Sequence, residues 1–403
     1  MSSLSWQRRA FWRFCWFIYM FTFWPLFRTR YIGRENIPSE GPLLLLSNHT
    51  SLMDPPHVAW GCWRIVHFMA TEQLFRAGGF VRWLVTNLNA FPKAKGVRDR
   101  RAMMALVRRY RGGDIVNMYP EGERTWSGRL LPIVPNTPKM LKRLKARVVY
   151  ARIKTGHLIQ PRWAVYPRWV PVEVEYSPVF VYDDPDRSEE DILKEMEAQL
   201  RIEPETINAG LLSFGFRMAH GLPNYLWACP ECFSIDALKV AHDDHNAILC
   251  SGCGCRWQID VSQRMLSQTP GVEDLRVVTA HDRIVAHFGT PPVQNREEFE
   301  QTGVVLSCLH MRVGRIHFGV KEPEAIATGQ ALLTAERIGV YDETGEALWE
   351  RELTDLKAVL SQLGGVFHVR TKDETFQLDP EGQSPVKWFS FTKQHWKATQ
   401  PDG

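Results

Sequence analysis

The sequence predicts an α/β domain in the first half of the chain, followed by a cysteine-rich module and a small, mainly β domain. Up to about residue 200, short apolar runs typical of buried strands alternate with helical patterns. Five of the eight cysteines lie within residues 229–255, and from about residue 303 polar and apolar positions alternate as they do in antiparallel strands. We therefore expect four parts, namely a helical segment (1–31), the α/β domain (32–224), the cysteine-rich module (225–262), and a helical linker with the β domain (263–403).

The charge is distributed unevenly along the chain. Residues 1–150 contain 24 Lys and Arg against 8 Asp and Glu, a net charge of +16, whereas residues 151–403 contain 25 against 37, a net charge of −12. A basic half indicates an anionic partner, either nucleic acid or a membrane surface. Ten aromatic residues between Phe11 and Phe27 favour the membrane, so we expect no nucleic acid partner.

The N-terminal segment is expected to lie in a membrane interface. The uncharged run Phe14–Phe27 has fourteen residues, fewer than the roughly 20 that a helix needs to cross a bilayer. Aromatic residues and flanking arginines such as Arg13 and Arg28 suit the headgroup region. A buried core helix is one alternative, and a twin-arginine export signal at Arg8-Arg9 is another, although no small-residue cleavage site follows it. The three scattered cysteines suit a reducing compartment, so we place the protein on the cytoplasmic face as a peripheral or monotopic protein.

Periodicity and turn residues predict the elements of the α/β domain and of the tail. Gly112-Gly113 is a helix stop that ends the helix before it. The predicted strands are Leu43–Leu46, Ile115–Tyr119, Val148–Ile153, Val313–Val320, Ala331–Tyr341 and Gly365–Arg370, and the predicted helices are Arg100–Arg111, Pro138–Lys145, Ser188–Arg201 and Ser384–Trp396.

A histidine and an aspartate follow the first buried strand. His49 and Asp54 are five residues apart, so in a continuous helix they would face about 140° apart and could not meet. Asp54 precedes Pro55, and a residue before proline is disfavoured in the helical region, so the carboxylate is expected to fold back toward the imidazole. A carboxylate that accepts from one ring nitrogen leaves the other nitrogen as a base.

Two further polar turns follow strands. Residues 119–125 read Y-P-E-G-E-R-T, in which Gly122 allows close approach of a ligand and Arg124 offers a planar fork for phosphate or carboxylate. An acidic turn with a solvated arginine is the alternative. Residues 91–96 read F-P-K-A-K-G, and Lys93, Lys95 and Arg98 either neutralise a phosphate or form a solvated basic surface.

The order and spacing of these blocks resemble the 1-acyl-sn-glycerol-3-phosphate acyltransferase family over roughly Ile32–Arg168. Residues 48–54 (N-H-T-S-L-M-D) fit that family's first block, N-H-x4-D, and residues 119–125 fit its third block, F-P-E-G-T-R-S. Residues 91–96 stand at the place of its middle block. The resemblance implies that His49 is the general base and that Asp54 orients it. It implies further that the acceptor's phosphate is bound by Glu121, Gly122 and a basic residue of the middle block, and the substrate-binding candidates are Asn48, Lys95, Glu121, Gly122 and Arg124.

The chain departs from the family pattern in three places. Lys95 stands where the middle block usually has arginine, Glu123 replaces a threonine of the third block, and Ala146–Tyr150 lacks the prolines of the usual fourth block. A lysine binds phosphate as a point charge rather than through two parallel hydrogen bonds. The extra carboxylate of Glu123 repels a negative charge, so we expect it to disfavour a dianionic acceptor.

The implied reaction moves a fatty acyl group from an acyl thioester, carried by coenzyme A or an acyl-carrier protein, to the hydroxyl of a membrane lipid. Lysophosphatidic acid giving phosphatidic acid is the expected case. A general base, an oxyanion donor and positioning suffice for this reaction, although Ser47 and Ser51 leave an acyl-enzyme route open. The rivals are an inactive scaffold that recruits partners and a thioesterase or lysophospholipid hydrolase. The sequence does not predict an oligomeric state.

The cysteine-rich module has the spacing of a structural zinc site. Cys229, Cys232, Cys250 and Cys253 form a C-x2-C-x17-C-x2-C pattern that resembles a zinc ribbon. Four thiolates saturate a tetrahedral ion, so the expected role is structural. Cys255, His242 and His245 are alternative ligands, and a reduced site without metal is the remaining alternative.

The tail from Gly303 to Trp396 resembles a pleckstrin-homology-type domain, because short strands are followed by a closing helix. Such domains bind lipids or proteins. No basic cluster in Lys321–Lys387 is typical of a phosphoinositide pocket, so protein contact or simple packing is expected equally.

Overall fold

The computed structural model describes residues 6–76, 79–94, 99–210, 212–317, 322–361 and 365–400. They form two compact units, unit 1 up to Phe216 with Val261–Gln263, and unit 2 with Arg217–Asp260 and the chain from Arg264 onward. The mixed α/β architecture and the separate antiparallel sheet confirm these parts of the predicted fold class.

Unit 1 contains eight strands and nine helices within its described residues. The strands are β1 (Arg30–Ile32), β2 (Leu43–Ser47), β3 (Val66–Thr71), β4 (Ala90–Lys93), β5 (Ile115–Met118), β6 (Arg147–Ile153), β7 (Glu173–Tyr176) and β8 (Phe180–Val181). The helices are α1 (Trp6–Phe21), α2 (Phe23–Phe27), α3 (Asp54–Trp60), α4 (Glu72–Arg76), α5 (Gly79–Asn87), α6 (Arg100–Arg111), α7 (Asn136–Leu144), α8 (Gly156–Ile159) and α9 (Glu189–Leu200), with one 3-10 turn at Arg34–Asn36.

The eight strands form one sheet in the order β1-β7-β6-β2-β5-β3-β4, with β8 beside β6. Strand β2 runs parallel to both β5 and β6. The carboxyl ends of these three central strands therefore lie at one edge of the sheet, which is where polar sites of α/β folds form.

Both faces of this sheet are covered. Leu43 and Leu45 of β2 pack in a core with α1 and α3, and Leu44 and Leu46 pack in a second core with α6, α7 and α9. Because successive side chains of a strand point to opposite faces, a strand covered on both sides is apolar throughout. This explains why four consecutive leucines form β2 rather than an alternating pattern.

Helix α1 is buried on one face only. Tyr19 stacks on Trp60 of α3 with ring centroids 4.6 Å apart, and its hydroxyl lies 2.7 Å from Nδ1 of the buried His57. On the other face, Phe14 and Phe17 are more than half exposed. The alternative of a fully buried core helix is therefore wrong. Among the described residues, no helix has the length and apolar character needed to cross a membrane.

Unit 2 contains two antiparallel sheets in its described part. The elements are α10 (Leu222–Tyr225), β9 (Leu238–Val240), β10 (Ala247–Cys250), β11 (Arg256–Ile259), β12 (Arg264–Ser267), β13 (Leu275–Arg276), α11 (Val277–Phe288), α12 (Arg296–Thr302), β14 (Val304–Arg315), β15 (Glu324–Thr334), β16 (Arg337–Tyr341), β17 (Ala347–Glu352), a 3-10 turn (Leu353–Asp355), β18 (Ala358–Ser361), β19 (Phe367–Arg370), β20 (Thr375–Pro380) and α13 (Pro385–Ala398). The smaller sheet has the order β13-β12-β11-β10-β9, and the larger has the order β17-β16-β15-β14-β20-β19-β18.

Two strand predictions for the tail need correction. Ala331–Tyr341 is two strands, because the Thr334 hydroxyl accepts from the amides of Glu336 and Arg337 and turns the chain between β15 and β16. The strand predicted at Val313–Val320 begins earlier and ends at Arg315 as β14, and residues 318–320 lie outside the described part of the chain.

Helix α13 packs against the larger sheet, and its Trp388 and Phe391 side chains are fully buried. The same helix carries Lys387, whose ammonium group is fully buried and donates to the carboxylate of Asp236. The other oxygen of Asp236 accepts from the Ser384 amide at 3.2 Å. One aspartate from the cysteine-rich segment thus neutralises the buried lysine and caps the start of the last helix.

Unit 1 includes three residues from a distant part of the chain. The side-chain amide of Gln263 donates to the His157 carbonyl at 3.0 Å, and the Ser262 hydroxyl accepts from the backbone amide of Ala209 at 2.9 Å. Val261 packs beside Leu158. Residues 261–263 therefore fill a place in the core and hydrogen bonding of unit 1, although unit 2 supplies the chain on both sides of them.

Candidate active site and cysteine cluster

The structure brings His49 and Asp54 together at the carboxyl end of β2. Nδ1 of His49 lies 2.9 Å from Oδ2 of Asp54. With the carboxylate as acceptor, Nδ1 carries the proton and Nε2 presents its lone pair. In the described part of the chain, Nε2 of His49 has no hydrogen-bond partner, and the side chain is 20% exposed. The imidazole is thus oriented by one neighbour and open on its basic side.

Asp54 reaches the imidazole from the first residue of α3, not from an extended segment. The expectation that Pro55 keeps Asp54 out of a helix is therefore wrong. The carboxylate turns back over the start of the helix, where it accepts from the amides of Thr50 at 2.6 Å and Ser51 at 2.8 Å. These two amides belong to the loop before α3, and together they hold the carboxylate in one orientation.

The surroundings of His49 favour a neutral imidazole. Burial lowers the pKa of His49, while the hydrogen bond and charge of Asp54 act in the opposite direction. The guanidinium groups of Arg124 and Arg162 lower it further. A base must be unprotonated to accept a proton, so the environment keeps this group in its active form at neutral pH.

The Glu121 carboxylate accepts hydrogen bonds from two backbone amides. Its Oε1 accepts from the amide of His49 at 2.6 Å, and its Oε2 accepts from the amide of Leu131 at 2.8 Å. The His49 carbonyl in turn accepts from the amide of Thr125 at 2.9 Å. Burial raises the pKa of Glu121 to about 8. The third block therefore holds the main chain of His49 through both of its polar groups, and the acceptor contact inferred for Glu121 stays a prediction.

Gly122 and Arg124 complete the third block. Gly122 has a φ of 73°, which favours glycine, and its amide donates to the Tyr119 carbonyl at 3.1 Å to close a tight turn. Burial lowers the pKa of Arg124 to about 10, and the charge of Arg162 adds to this effect. The guanidinium of Arg124 makes no hydrogen bond or ion pair within the described ranges, so it is available to an anionic ligand.

Glu123 is neutralised by a residue that the sequence analysis did not single out. Nη1 of Arg162 lies 3.2 Å from Oε2 of Glu123, and both side chains are largely buried. The same nitrogen donates to the Arg124 carbonyl at 2.6 Å. The expectation that Glu123 repels a dianion therefore needs correction, because the charge has a partner. No local pattern links residues 123 and 162, so this pair could not be predicted from the sequence.

The side-chain amide of Asn48 makes hydrogen bonds within the protein through both its nitrogen and its oxygen. Its side-chain nitrogen donates to the Ile153 carbonyl at 3.0 Å, and its oxygen accepts from the amide of Ile153 at 2.8 Å. This pair of bonds joins the end of β2 to the end of β6. The geometry gives Asn48 a positioning function, and the substrate contact inferred for it stays a prediction.

Tyr119 is a site residue that the sequence analysis missed. Its ring stacks on the imidazole of His49 with centroids 4.0 Å apart and an angle of 17° between planes. The position was quoted only as the first letter of the third block. A flat aromatic surface at this distance limits the rotation of the imidazole, so Tyr119 adds to the orientation given by Asp54.

Lys95 and Arg98 lie outside the described residues. Lys93 is the last residue of β4, and burial lowers the pKa of its ammonium group. The phosphate contacts predicted for the middle block stay predictions.

The four cysteines predicted as metal ligands come together in unit 2. Their sulfur atoms all lie within 4.8 Å of one another. Sγ of Cys229 is 3.8 Å from Sγ of Cys253, and Sγ of Cys232 is 3.7 Å from Sγ of Cys250. Four sulfurs at about 2.3 Å from a tetrahedral zinc ion are about 3.8 Å apart, so the donor set fits that ion. Cys255, His242 and His245 are not members of this cluster.

One part of unit 1 matches the model of a known family. Residues 28–154 match a family model described as Acyltransferase. This range contains His49, Asp54 and the whole third block, and it ends before Arg162. This part of the chain is therefore similar to acyltransferases. No curated protein matches the sequence.

A search of solved structures gives the crystal structure of the 1-acyl-sn-glycerophosphate (LPA) acyltransferase PlsC from Thermotoga maritima. The two chains are 23% identical, and the match covers 47% of this chain and 77% of the other, with a TM-score of 0.41.

Proposed function

We propose that the protein is an O-acyltransferase that moves a fatty acyl group from an acyl thioester to the hydroxyl of lysophosphatidic acid, giving phosphatidic acid. The observation that carries this proposal is the pair His49 and Asp54 inside the acyltransferase domain, with Nδ1 held by the carboxylate and Nε2 open. Coenzyme A or an acyl-carrier protein supplies the thioester, as is general for this family.

The chemical step follows from this geometry. Nε2 of His49 accepts the proton of the acceptor hydroxyl while its oxygen attacks the thioester carbonyl. The new ester C–O bond forms, the C–S bond breaks, and the imidazolium returns the proton to the departing thiolate. Asp54 stabilises the imidazolium that exists between these events.

A direct transfer fits the surroundings better than an acyl-enzyme. Ser47 and Ser51 are fully buried. The Ser47 hydroxyl accepts from the side chain of Asn117 at 2.9 Å, and the Ser51 hydroxyl accepts from the amide of Met53 at 3.0 Å. A serine nucleophile would instead need a hydrogen bond to the base and access to the thioester.

The acceptor's phosphate is assigned to the cationic side of the site. Arg124 belongs to the same block as Glu121, which accepts from the His49 amide, and Arg162 donates to the Arg124 carbonyl at 2.6 Å. The charges of both arginines lower the pKa of His49. Since Arg162 already faces Glu123, Arg124 is the cation of this pair that we assign to the phosphate. Lys95 is the middle-block residue assigned to the same group.

Membrane attachment is the second part of the proposal. One face of α1 and α2 exposes aromatic and aliphatic side chains, including Trp6, Phe21 and Trp24. Arginines flank them, as expected of a segment lying in the headgroup region of an anionic bilayer. We assign the protein to the cytoplasmic face as a peripheral or monotopic protein, near its lipid acceptor.

The third part is a structural zinc ion held by Cys229, Cys232, Cys250 and Cys253. The sulfur spacing supports a closed four-thiolate site, which leaves no position for substrate. Elemental analysis of the purified protein should find one zinc per chain. A Cys250→Ser variant should lose the metal, and residues 225–260 should then be cut faster by protease. Full-length protein without zinc would refute this assignment.

One assay separates the acyltransferase from its rivals. Purified protein is incubated with radiolabelled acyl-coenzyme A, with and without a panel of lysophospholipids, and the lipid products and free fatty acid are measured. We expect a new diacyl lipid that depends on the acceptor. Acceptor-independent release of fatty acid would indicate a hydrolase. No turnover with acyl-coenzyme A, nor in a parallel incubation with an acylated acyl-carrier protein, would indicate a scaffold.

The matching variant is His49→Ala, which should lower the rate by on the order of 10²–10⁴-fold with the fold intact. Retention of activity in a folded variant would exclude His49 as the base.

A further inference from the structure

A second group of exposed apolar side chains lies at the end of unit 1. Leu212 is 73% exposed, Phe214 is 58% exposed and Phe216 is 48% exposed. Single exposed apolar side chains are common on soluble proteins, but a contiguous group marks an interaction surface. We refer to Leu212–Phe216 as the 212–216 surface.

The 212–216 surface is held in place by the body of unit 1. Phe214 and Trp169 form an antiparallel bridge with N–O distances of 2.9 and 3.1 Å, and their rings stack with centroids 4.8 Å apart. The ring of Phe216 packs 5.2 Å from that of Tyr166. The apolar side chains are therefore presented outward by a fixed backbone, and they do not fold back into the core.

This surface adjoins helix α2. Arg28, the residue after α2, donates from Nη2 to the Leu212 carbonyl at 2.7 Å. The last residue of α2, Phe27, accepts from the amide of Val172 at 3.0 Å, three residues beyond Trp169. Helix α2 itself exposes Trp24 by 41%. The two exposed apolar groups thus meet at Arg28.

We propose that the 212–216 surface is a second contact of this protein with an anionic lipid bilayer. The inference rests on the proposed membrane attachment through α1 and α2, and extends it to a segment almost 190 residues later in the chain. Aromatic and leucine side chains insert at the boundary between headgroups and acyl chains, while a neighbouring guanidinium binds lipid phosphate. Arg28 supplies that charge at the junction. Arg30 adds to it with a side chain that is 73% exposed and lies 3.7 Å from the carboxylate of Glu173.

A second contact has a consequence that one helix alone does not have. A helix lying in the interface is free to roll about its long axis, whereas contacts at two places along the protein surface also fix the tilt of the domain. The 212–216 surface follows β7 and α9, whereas α2 precedes β1. The two membrane contacts therefore come from segments that lie far apart in the sequence of unit 1.

The test compares vesicle binding of full-length proteins. The surface variant carries Leu212→Ser, Phe214→Ser and Phe216→Ser, and the control carries Leu309→Ser, a 74%-exposed leucine of β14 in unit 2. Each protein is sedimented with vesicles of phosphatidylglycerol and phosphatidylcholine. We expect the surface variant to bind at least about tenfold more weakly and the control to bind like the parent.

A second measurement does not depend on the variants. Hydrogen exchange of the parent protein should slow in residues 203–216 when vesicles are added, and residues 304–315 should not change. Unaltered exchange in residues 203–216, or full binding by the surface variant, would overturn the inference. A surface variant that changes the oligomeric state but not vesicle binding would assign this surface to a second copy of the chain, and would overturn it too.

Activity is measured separately with a short-chain lysophosphatidic acid kept below its micelle concentration. The surface variant should retain the parent's rate with this soluble acceptor, because the changes lie outside the candidate active site. A parent protein that binds vesicles through 212–216 but does not acylate the soluble acceptor would refute the proposed reaction and leave the lipid contact standing.

Discussion

The backbone amide of His49 donates a hydrogen bond of 2.6 Å to Oε1 of Glu121. Because its second oxygen accepts from the Leu131 amide, the carboxylate is fully engaged by main chain in the described structure. The glutamate therefore fixes the position of the His49 backbone, and Asp54 fixes the orientation of its imidazole.

Glu121→Gln should lower kcat on the order of 10²-fold and change the acceptor KM little. The amide side chain keeps only one acceptor oxygen, so one of the two backbone amides loses its partner and His49 shifts. Steady-state kinetics with varied acceptor provide the measurement, and Glu190→Gln, an exposed residue of α9, is the control. A rise in acceptor KM at unchanged kcat would favour the substrate contact inferred from the sequence.

Arg124→Met should move the acid limb of the pH–rate profile to higher pH. The proposed reaction needs neutral His49, so the rate should fall as the pH drops through the pKa of that residue. Arg124 lowers this pKa by its charge, and removing the charge must raise it. The profile of kcat/KM is compared with that of Arg101→Met on the exposed side of α6. A limb that stays in place would show that Arg124 does not act on the base.

Gly156→Ala should reduce both stability and kcat. A Cβ at this position would overlap Oγ1 of Thr50 and would lie 3.1 Å from Oδ1 of Asp54. Overpacking of this kind costs about 1–3 kcal/mol, and here the displaced groups are those that hold the catalytic carboxylate. Thermal denaturation and turnover are measured beside Gly79→Ala, whose Cβ meets open space. Equal behaviour of the two variants would show that Asp54 tolerates the added methyl group.

Asp236→Asn should destabilise unit 2 strongly. The variant leaves the buried ammonium of Lys387 without a counter-charge, and breaking a buried ion pair in this way costs about 3–5 kcal/mol. Adding Lys387→Met should restore most of the loss, because the unpaired charge is then gone. Asp243→Asn is the control, since that carboxylate is 70% exposed in its pair with Arg256. Denaturant unfolding measures all four proteins, and a double variant no better than the single one would contradict the argument.

Local pattern was enough for several elements and for the pairing of His49 with Asp54. Helix α6 has the predicted bounds, because Asp99 caps its first turn and Gly112 ends it. His49 and Asp54 could be paired because they are only five residues apart and follow a recognisable strand.

Contacts between distant segments could not be predicted in this way. The partner of Glu123 is 39 residues away at Arg162, and Gly156 meets Asp54 only because β6 and β2 are neighbours in the sheet. Nor could the role of Glu121 be predicted, since a carboxylate aimed at a backbone amide and one aimed at a ligand look alike in sequence. Register and strand order decide such contacts.

The return of residues 261–263 to unit 1 bears on how the protein can be divided. The chain passes between the units three times, so neither unit is a single continuous fragment. A truncated protein that ends near residue 224 would lack Gln263 and its bond to His157. Expression of unit 1 by itself therefore calls for a graft of residues 261–263, or for the intact chain.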